Sequence, residues 1–323
     1  ITYQGNVFGQ AEPTSGAIKV LGKGSSFTLN GGTITGIQVT DGMQHSVVYV
    51  KNGTGESNQP HPTFTMNGGK ITGNECTAVA VANGATFTMK DGEISDNISN
   101  NPGAGVLSRW GIINIQGGSI SNNQALVRVS KNANYGAGGG IAEITNGSSS
   151  DVSSANTGIT LSGQVDISGN QDPEGNDDDI VIVSLQTGMD PVKFKGYAIT
   201  IGENFSAQNP IALSIWGKNA SSGLAVIHKA APDDCIQYFR YVTDAYTICR
   251  NSGDDIVLMK VNLAPINPHW EITERGVVKA TWEKAESFKD YSLQLYKDGN
   301  PVGEPLTSSS TSKSITIQEP GTY

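Results

Sequence analysis

One short phrase recurs five times in the first half of the chain and restricts the possible folds more than any other feature. Its copies read FTLNGGTITG, FTMNGGKITGN, FTMKDGEISDN, INIQGGSISNN and ITLSGQVDISGN, and they begin at Phe27, Phe64, Phe87, Ile113 and Ile159. The residue types persist while the intervals between copies vary. A fixed phrase at varying intervals indicates a repeat protein in which each copy supplies the same part of a coil and the loops differ in length.

Within each copy, apolar and polar residues alternate with a period of two. In the third copy, Phe87 and Met89 alternate with Thr88, which predicts a strand with one buried face. A Gly-rich corner follows, and then a second short strand centred on one isoleucine. These central residues are Ile34, Ile71, Ile94, Ile120 and Ile167. An asparagine stands three residues later in four copies, as Asn74, Asn97, Asn123 and Asn170.

The next stretch of each repeat supplies a third strand, as in residues 78–81 before the Asn83-Gly84 turn. Three strands and three turns in each repeat predict one coil of a triangular parallel β-helix. Stacked coils lie about 4.8 Å apart, so the inward residues form continuous apolar rows and the corner asparagines hydrogen-bond along the stack. Lys70 then lies beside Glu93 on the outside. The first copy departs from the pattern, with Ile37 where asparagine is expected.

These phrases resemble the degenerate right-handed β-helix repeats of bacterial and archaeal adhesin-like cell-surface proteins, in which GGxIxxN and GGGI elements recur. Residues 138–141, Gly-Gly-Gly-Ile, are a further match. The resemblance is good over residues 16–170 and looser up to residue 262. It implies an all-β fold, a right-handed parallel β-helix over residues 1–262, and an extracellular location at the cell surface or as a secreted protein. We expect residues 171–262 to form closing coils and a cap, which ends in a hairpin of residues 246–250 and 256–260.

The composition changes near residue 263, where the Gly-rich phrase stops and Glu and Lys become frequent. Short strands are predicted over residues 277–282, 291–296 and 314–317. This segment resembles a fibronectin type III or related immunoglobulin-like module, with Trp282 in the B strand and Tyr323 at the start of the tyrosine corner. The resemblance implies a C-terminal β-sandwich over residues 263–323 that is incomplete at its C-terminal end. We therefore expect the chain to continue beyond Tyr323.

Charge and composition exclude several classes of function. The formal net charge of −9 disfavours nucleic acid as a partner, because phosphate neutralisation supplies most of that affinity. The apolar runs are far shorter than the roughly 20 residues that span a bilayer, so we predict no membrane insertion. The chain starts at Ile1 rather than at Met, which suggests a processed or trimmed polypeptide.

The cysteines and histidines do not form a recognisable site. All three cysteines are expected to be buried small apolar residues. Cys235 and Cys249 flank a strand-like stretch and are also predicted to lie close enough to pair, which would leave Cys76 single. The sequence contains no CxxC spacing, so it does not predict a zinc site. The histidines, at positions 45, 61, 228 and 269, are too dispersed for a metal cluster or a Ser-His-Asp arrangement. We predict no cofactor.

A glycosidase needs two carboxylates about 5 to 10 Å apart. On a β-helix these would be acids at equivalent outward positions of nearby coils, and no adjacent copies carry such a pair. Glu93 and Asp166 share the outward position before the central isoleucine, with at least one coil between them. They are the candidate catalytic pair.

The densest acidic run contains Asp172, Glu174, Asp177, Asp178 and Asp179. Its last three members are the candidate metal ligands, because a hard cation such as Ca²⁺ prefers oxygen donors. The run matches no calcium-loop pattern, and a solvated loop is the favoured interpretation.

Three further features have a structural and a functional interpretation. Residues 136–140 are rich in glycine but lack nucleotide-binding spacing, and a β-helix corner accounts for them. Arg109 with Trp110, and Trp216 with Lys218, are candidates for stacking on sugar rings. For both pairs, packing within the core or loops is the favoured interpretation.

Two functions remain open at this point. The resemblance favours a non-catalytic adhesion or spacer module of a bacterial cell-surface protein, whose unidentified ligand is a host or environmental polysaccharide or a protein. The alternative is a polysaccharide lyase or glycoside hydrolase, because right-handed β-helices also carry such enzymes. The fold by itself does not decide between them.

Overall fold

The computed structural model shows a parallel β-helix followed by a small unit of antiparallel strands. It divides into residues 1–259 and residues 260–323. The structure describes residues 15–38, 45–52, 60–127, 137–145, 158–184, 199–215, 224–227, 233–243, 246–250, 256–260, 266–274, 277–283, 291–297, 300–308 and 310–316.

Three sheets run along the β-helix, numbered in the order in which each coil meets them. Sheet 1 contains, in spatial order, Ser15–Leu21, His45–Lys51, Thr77–Ala82, Val106–Arg109, Ile141–Thr145, Ile180–Ser184, Ile211–Ile215 and Phe239–Tyr241. Sheet 2 contains Ser26–Leu29, Thr63–Met66, Thr86–Met89, Ile112–Ile115, Gly158–Leu161, Ile199–Ile201, Leu224–Ile227, Ile256–Lys260 and Tyr246–Arg250. Sheet 3 contains Thr33–Ile34, Lys70–Thr72, Glu93–Ser95, Gly118–Ser121, Gln164–Ser168 and Ser206–Ala207. A fourth, two-stranded sheet pairs Ile98–Ser99 with Gln124–Ala125.

The register of the stack confirms the repeat alignment. Phe64 lies opposite Phe27 on one side and Phe87 on the other, with ring centroids 5.1 and 5.0 Å apart. In sheet 3, Ile94 lies between Ile71 and Ile120 and is fully buried. The copies therefore align residue over residue, and their alternating apolar side chains fill one continuous core.

The middle strands of sheet 1 are buried on both faces. Its inward residues belong to the main core, while outward residues such as Tyr49, Leu107 and Ala142 form a second buried apolar cluster. This explains why its strands read as nearly continuous apolar runs, for example TAVAVA in Thr77–Ala82, instead of alternating with polar residues.

The Gly-rich segment before Ile141 forms a corner, as expected, over its described residues 138–140. A Cβ atom on Gly139 would lie 2.4 Å from the Gln171 nitrogen and 2.5 Å from the Asn123 oxygen. Neighbouring coils therefore approach too closely here for any side chain, which is a packing reason for glycine. Gly136 lies outside the described residues.

The C-terminal end of the stack is closed by a change of strand direction. Ile256–Lys260 pairs antiparallel with Leu224–Ile227 and is followed in sheet 2 by Tyr246–Arg250. The predicted terminal hairpin is therefore present, although its turn at residues 252–254 lies outside the described residues. A 3₁₀ helix, Asp233–Tyr238, leads into the last strand of sheet 1. Phe205 stacks on Phe239 beside it, with ring centroids 5.7 Å apart.

The second unit contains two antiparallel sheets. One consists of Ile266–Glu274, Val277–Glu283 and Ser312–Thr316, and the other pairs Tyr291–Lys297 with Asn300–Ser308. Trp282, on the strand Val277–Glu283, is buried. Tyr323 lies outside the described residues.

Candidate functional site

An open cleft of about 620 Å³ lies on the outer side of sheet 3 and on the Gly-rich corner before it. One row of its lining crosses four coils. Sheet 3 aligns Lys70 with Glu93, Glu93 with Ser119, and Ser119 with Asp166. The two predicted catalytic candidates, Glu93 and Asp166, therefore line the same cleft with one coil between them. Two strand spacings place their backbones roughly 9.6 Å apart.

The first of these acids is held by an ion pair. Lys70 Nζ lies 2.6 Å from Glu93 Oε2, which confirms the predicted neighbours of opposite charge. Ser95 Oγ donates to Glu93 Oε1 at 2.6 Å. The hydrogen bond from Lys70, followed by that from Ser95, lowers the pKa of Glu93. Glu93 is therefore ionised at neutral pH and is unsuited to act as a general acid.

The second acid, Asp166, accepts hydrogen bonds from three side chains. Ser168 Oγ donates to Asp166 Oδ1 at 2.7 Å, and Asn209 Nδ2 donates to the same oxygen at 3.3 Å. Ser119 Oγ, on the strand between the two acids, lies 3.5 Å from Asp166 Oδ2. Both candidate acids thus serve as hydrogen-bond acceptors at the rim of a polar cleft.

The interpretation of the acidic run as a solvated loop is wrong for three of its five members. Asp172, Asp178 and Asp179 are 6%, 3% and 1% exposed. Asp178 Oδ2 accepts the backbone N–H groups of Ala137 and Gly138 at 2.6 and 2.9 Å, and its Oδ1 accepts the Ser214 hydroxyl at 2.6 Å. The sequence pattern missed this because those donors belong to other coils.

The remaining members of the run differ in environment. Asp179 accepts N–H groups of Asn170 and Ala212, while Asp177 stays exposed and lies 2.8 Å from Arg240. Burial raises the pKa of Asp178 and raises that of Asp179 to about 6. Asp177, Asp178 and Asp179 therefore do not converge as the predicted metal ligands. Within the described ranges, no group of three or more His, Cys, Asp or Glu residues is placed to hold a metal ion.

Sequence reasoning also missed a carboxyl group inside the β-helix. Glu143 is fully buried and lies between Ser108 and Ile182 on neighbouring strands of sheet 1. Among the described residues, neither of its carboxyl oxygens has a hydrogen-bond partner of good geometry. Burial raises the pKa of Glu143 to about 8, although the nearby Ser108 hydroxyl acts to lower it. The sequence did contain a signal for its burial. Glu143 lies two positions after the core residue Ile141 on the same strand, and alternate residues of a strand face the same side.

The cysteines form no disulfide in the structure. Cys76, Cys235 and Cys249 are all thiols, so no bridge joins the last two. That Cys235 and Cys249 lie close enough to pair stays a prediction. Cys249 Sγ lies 3.9 Å from Met259 Sδ. Burial raises the pKa of Cys76 to about 12, which makes this thiol a poor nucleophile.

The three described histidines lie in different environments. His45 is buried, His269 is exposed, and His61 Nδ1 lies 2.8 Å from Asn52 Nδ2. Trp110 is 37% exposed and adopts a left-handed φ of 62°. His228, Trp216 and Lys218 lie outside the described residues.

In the described part of the chain, no helix is long and apolar enough to cross a membrane. Comparison of the chain with known protein families, with curated proteins and with solved structures gives no match.

Proposed function

We propose that this chain is a non-catalytic adhesion or spacer module of a bacterial cell-surface protein, located outside the cell, with glycans among its ligands. The observation that carries the proposal is the continuous polar row on the outside of sheet 2. Thr28, Thr65, Thr88, Asn114 and Thr160 are aligned strand over strand along five coils. A regular row of hydroxyl and amide groups suits broad contact with an extended, hydroxyl-rich ligand.

The state of the acidic residues supports a role without catalysis. The buried acids Asp178 and Asp179 accept hydrogen bonds from the chain itself, which makes them structural. Glu93 is paired with Lys70 and is ionised. Glycoside hydrolysis requires one carboxyl group that donates a proton, and the environment of Glu93 disfavours that form.

One observation favours the alternative, a polysaccharide lyase or glycoside hydrolase. Glu93 and Asp166 line the same cleft with Ser119 between them. Their backbones are about 9.6 Å apart, compared with the roughly 6.5 to 9.5 Å that separates the carboxyl groups of an inverting pair. In such an enzyme Glu93 would act as the base and Asp166 as the acid.

Binding and turnover measurements on the purified chain separate the two functions. We expect it to bind to an array of glycans and immobilised extracellular matrix proteins. We also expect it to release neither reducing ends nor unsaturated products from pectin, alginate or host glycans. Turnover that disappears in Glu93→Gln or Asp166→Asn would establish the enzyme. Turnover that survives both substitutions would also refute the proposal and would place the catalytic site elsewhere.

A further inference from the structure

The geometry of the cleft beside Glu93 points to a binding site for an uncharged polysaccharide that lies along the β-helix axis. This inference rests on the proposed function and names both the site and the class of ligand. It depends on the shape of the cleft, the chemistry of its lining and its charge.

The shape of the cleft follows from the stacking of the coils. Its lining extends from Lys70 through Glu93, Ser119 and Asp166 to Gln208, so that five successive coils contribute. Four strand spacings make this row about 19 Å long. A row of that length, open to solvent, fits several units of an extended chain better than one compact small molecule.

The floor of the cleft lacks side chains for a structural reason. A Cβ atom on Gly69, Gly92 or Gly118 would lie 2.8, 2.6 or 2.7 Å from a carbonyl oxygen of the preceding coil. All three residues also have positive φ angles, between 83° and 106°. Glycine is therefore required by the corner itself, and a ligand in the cleft can approach the backbone closely.

The walls of the cleft offer both hydrogen-bond donors and acceptors. Glu93 and Asp166 supply carboxylate acceptors, Ser119 supplies a hydroxyl, and the exposed Gln164 and Gln208 supply amides that donate and accept. Sugar hydroxyls both donate and accept, so each of these groups has a complementary partner on a polysaccharide. Hydrogen bonds to the charged carboxylates are the stronger ones.

The charge of the lining selects against acidic polysaccharides. Three acids, Asp91, Glu93 and Asp166, line the cleft together with one base, Lys70, which leaves a net charge of −2. Lys70 is also neutralised by its contact with Glu93. A polyuronate would bring further negative charge to this surface, whereas an uncharged polysaccharide would not.

The test is affinity gel electrophoresis of the intact chain in gels that contain one soluble polysaccharide each. Glucomannan, xyloglucan and arabinoxylan are the uncharged probes, polygalacturonate and alginate the acidic probes, and chitosan the basic probe. We expect at least one uncharged polysaccharide to retard the chain. Ser119→Trp, which fills the middle of the cleft, should weaken that retardation at least tenfold. Leu21→Trp adds the same indole at an exposed position outside the cleft lining and should leave it unchanged.

Two milder variants keep the test valid if Ser119→Trp does not fold. Gln164→Ala and Gln208→Ala change exposed side chains, and combined they should weaken binding several-fold. Binding that is unaffected by all three substitutions would overturn the site while leaving the proposed function standing. Retardation by only the acidic or only the basic probes would overturn the ligand class. Failure to bind any polysaccharide would overturn the inference altogether. Adhesion to matrix proteins in that case would show that the chain is still an adhesion module, with protein rather than glycan ligands.

Discussion

Asn170 donates both its backbone N–H and its side-chain amide to one carboxylate oxygen of Asp179, at 3.1 and 2.9 Å. The same double donation links each asparagine of the corner row to the next one. At the other end, the row begins where Asn74 Oδ1 accepts the backbone N–H of Ile37, the residue that replaces asparagine in the first copy. All the side-chain amides donate in the same direction along the stack, so the last asparagine needs an acceptor group beyond it. Asp179 is that group, and its second oxygen accepts the N–H of Ala212 at 2.9 Å.

Replacement of Asp179 by asparagine should therefore destabilise the β-helix. The new amide would place a donor where either the Asn170 or the Ala212 N–H now finds an acceptor, which leaves a buried polar group unsatisfied. We expect a loss of about 1 to 3 kcal/mol in the free energy of unfolding, measured by urea denaturation at pH 7. The control is Asp177→Asn, which removes the exposed contact with Arg240 and should lower the free energy of unfolding by less than about 1 kcal/mol. Equal stability of Asp179→Asn and the wild type would contradict this account of the ladder.

Ile94→Ala should be among the most destabilising single substitutions in the repeats. Ile94 is fully buried between Ile71 and Ile120, so truncation leaves a cavity bounded by two rigidly stacked coils. We expect the free energy of unfolding to fall by about 2 to 5 kcal/mol, measured by chemical denaturation. Thr88→Ala, on the outward side of sheet 2, is the control and should cost under about 1 kcal/mol. A loss under about 1 kcal/mol for Ile94→Ala would mean that the register is wrong.

Glu143→Gln should change how stability depends on pH. The pKa of Glu143 is raised from 4.5 to about 8 in the folded chain, so between these values the folded state holds a proton that the unfolded state has lost. The contribution of protonated Glu143 to the free energy of unfolding is complete below about pH 4.5. It declines by about 1.4 kcal/mol per pH unit as the pH rises towards 8.

The glutamine variant lacks this titration, and its stability relative to the wild type should increase steadily from pH 5 to pH 8. Urea unfolding of both proteins across this range measures the difference, and the other titrating groups cancel in the comparison. Parallel pH profiles for the two proteins would show that Glu143 is not buried as a neutral acid.

The contact between Lys70 and Glu93 should contribute little to stability despite its short distance. The two side chains are 54% and 34% exposed, so water and salt screen their attraction. A double-mutant cycle with Lys70→Met and Glu93→Gln should give a coupling energy of about 0.2 to 1 kcal/mol, which falls further in 1 M salt. A coupling above about 2 kcal/mol would show that the pair is desolvated and would change the expected electrostatics of the cleft.

The relative positions of three residues that line the candidate cleft could be predicted from the repeats alone. Matching the phrases placed Lys70 beside Glu93, and it placed Asp166 at the same outward position on a later coil. The cleft itself was not predicted, because its volume depends on how the corner glycines and the loop residue Gln208 lie against those strands. Sequence similarity between repeats does not contain that information.

The buried acids show the same limit. Asp178 was expected in solvent, yet it binds Ala137 and Ser214, which lie 41 and 36 positions away in the chain. Ser214 belongs to a strand in the part of the chain where the repeat phrase has faded, so no pattern aligned it with Asp178.

The sequence by itself determined the parallel β-helix, the inward row of apolar residues and the row of stacked corner asparagines. These follow from the alternation of side chains along each strand, which is a local property, and from repetition, which places equivalent residues over one another. Only the tertiary structure decided that Asp179 ends the ladder, that Glu143 lies in the core and that an open cleft crosses five coils. Each of these depends on contacts between coils joined by loops of unequal length, and the free energy of such contacts is set by burial and hydrogen-bond geometry in three dimensions.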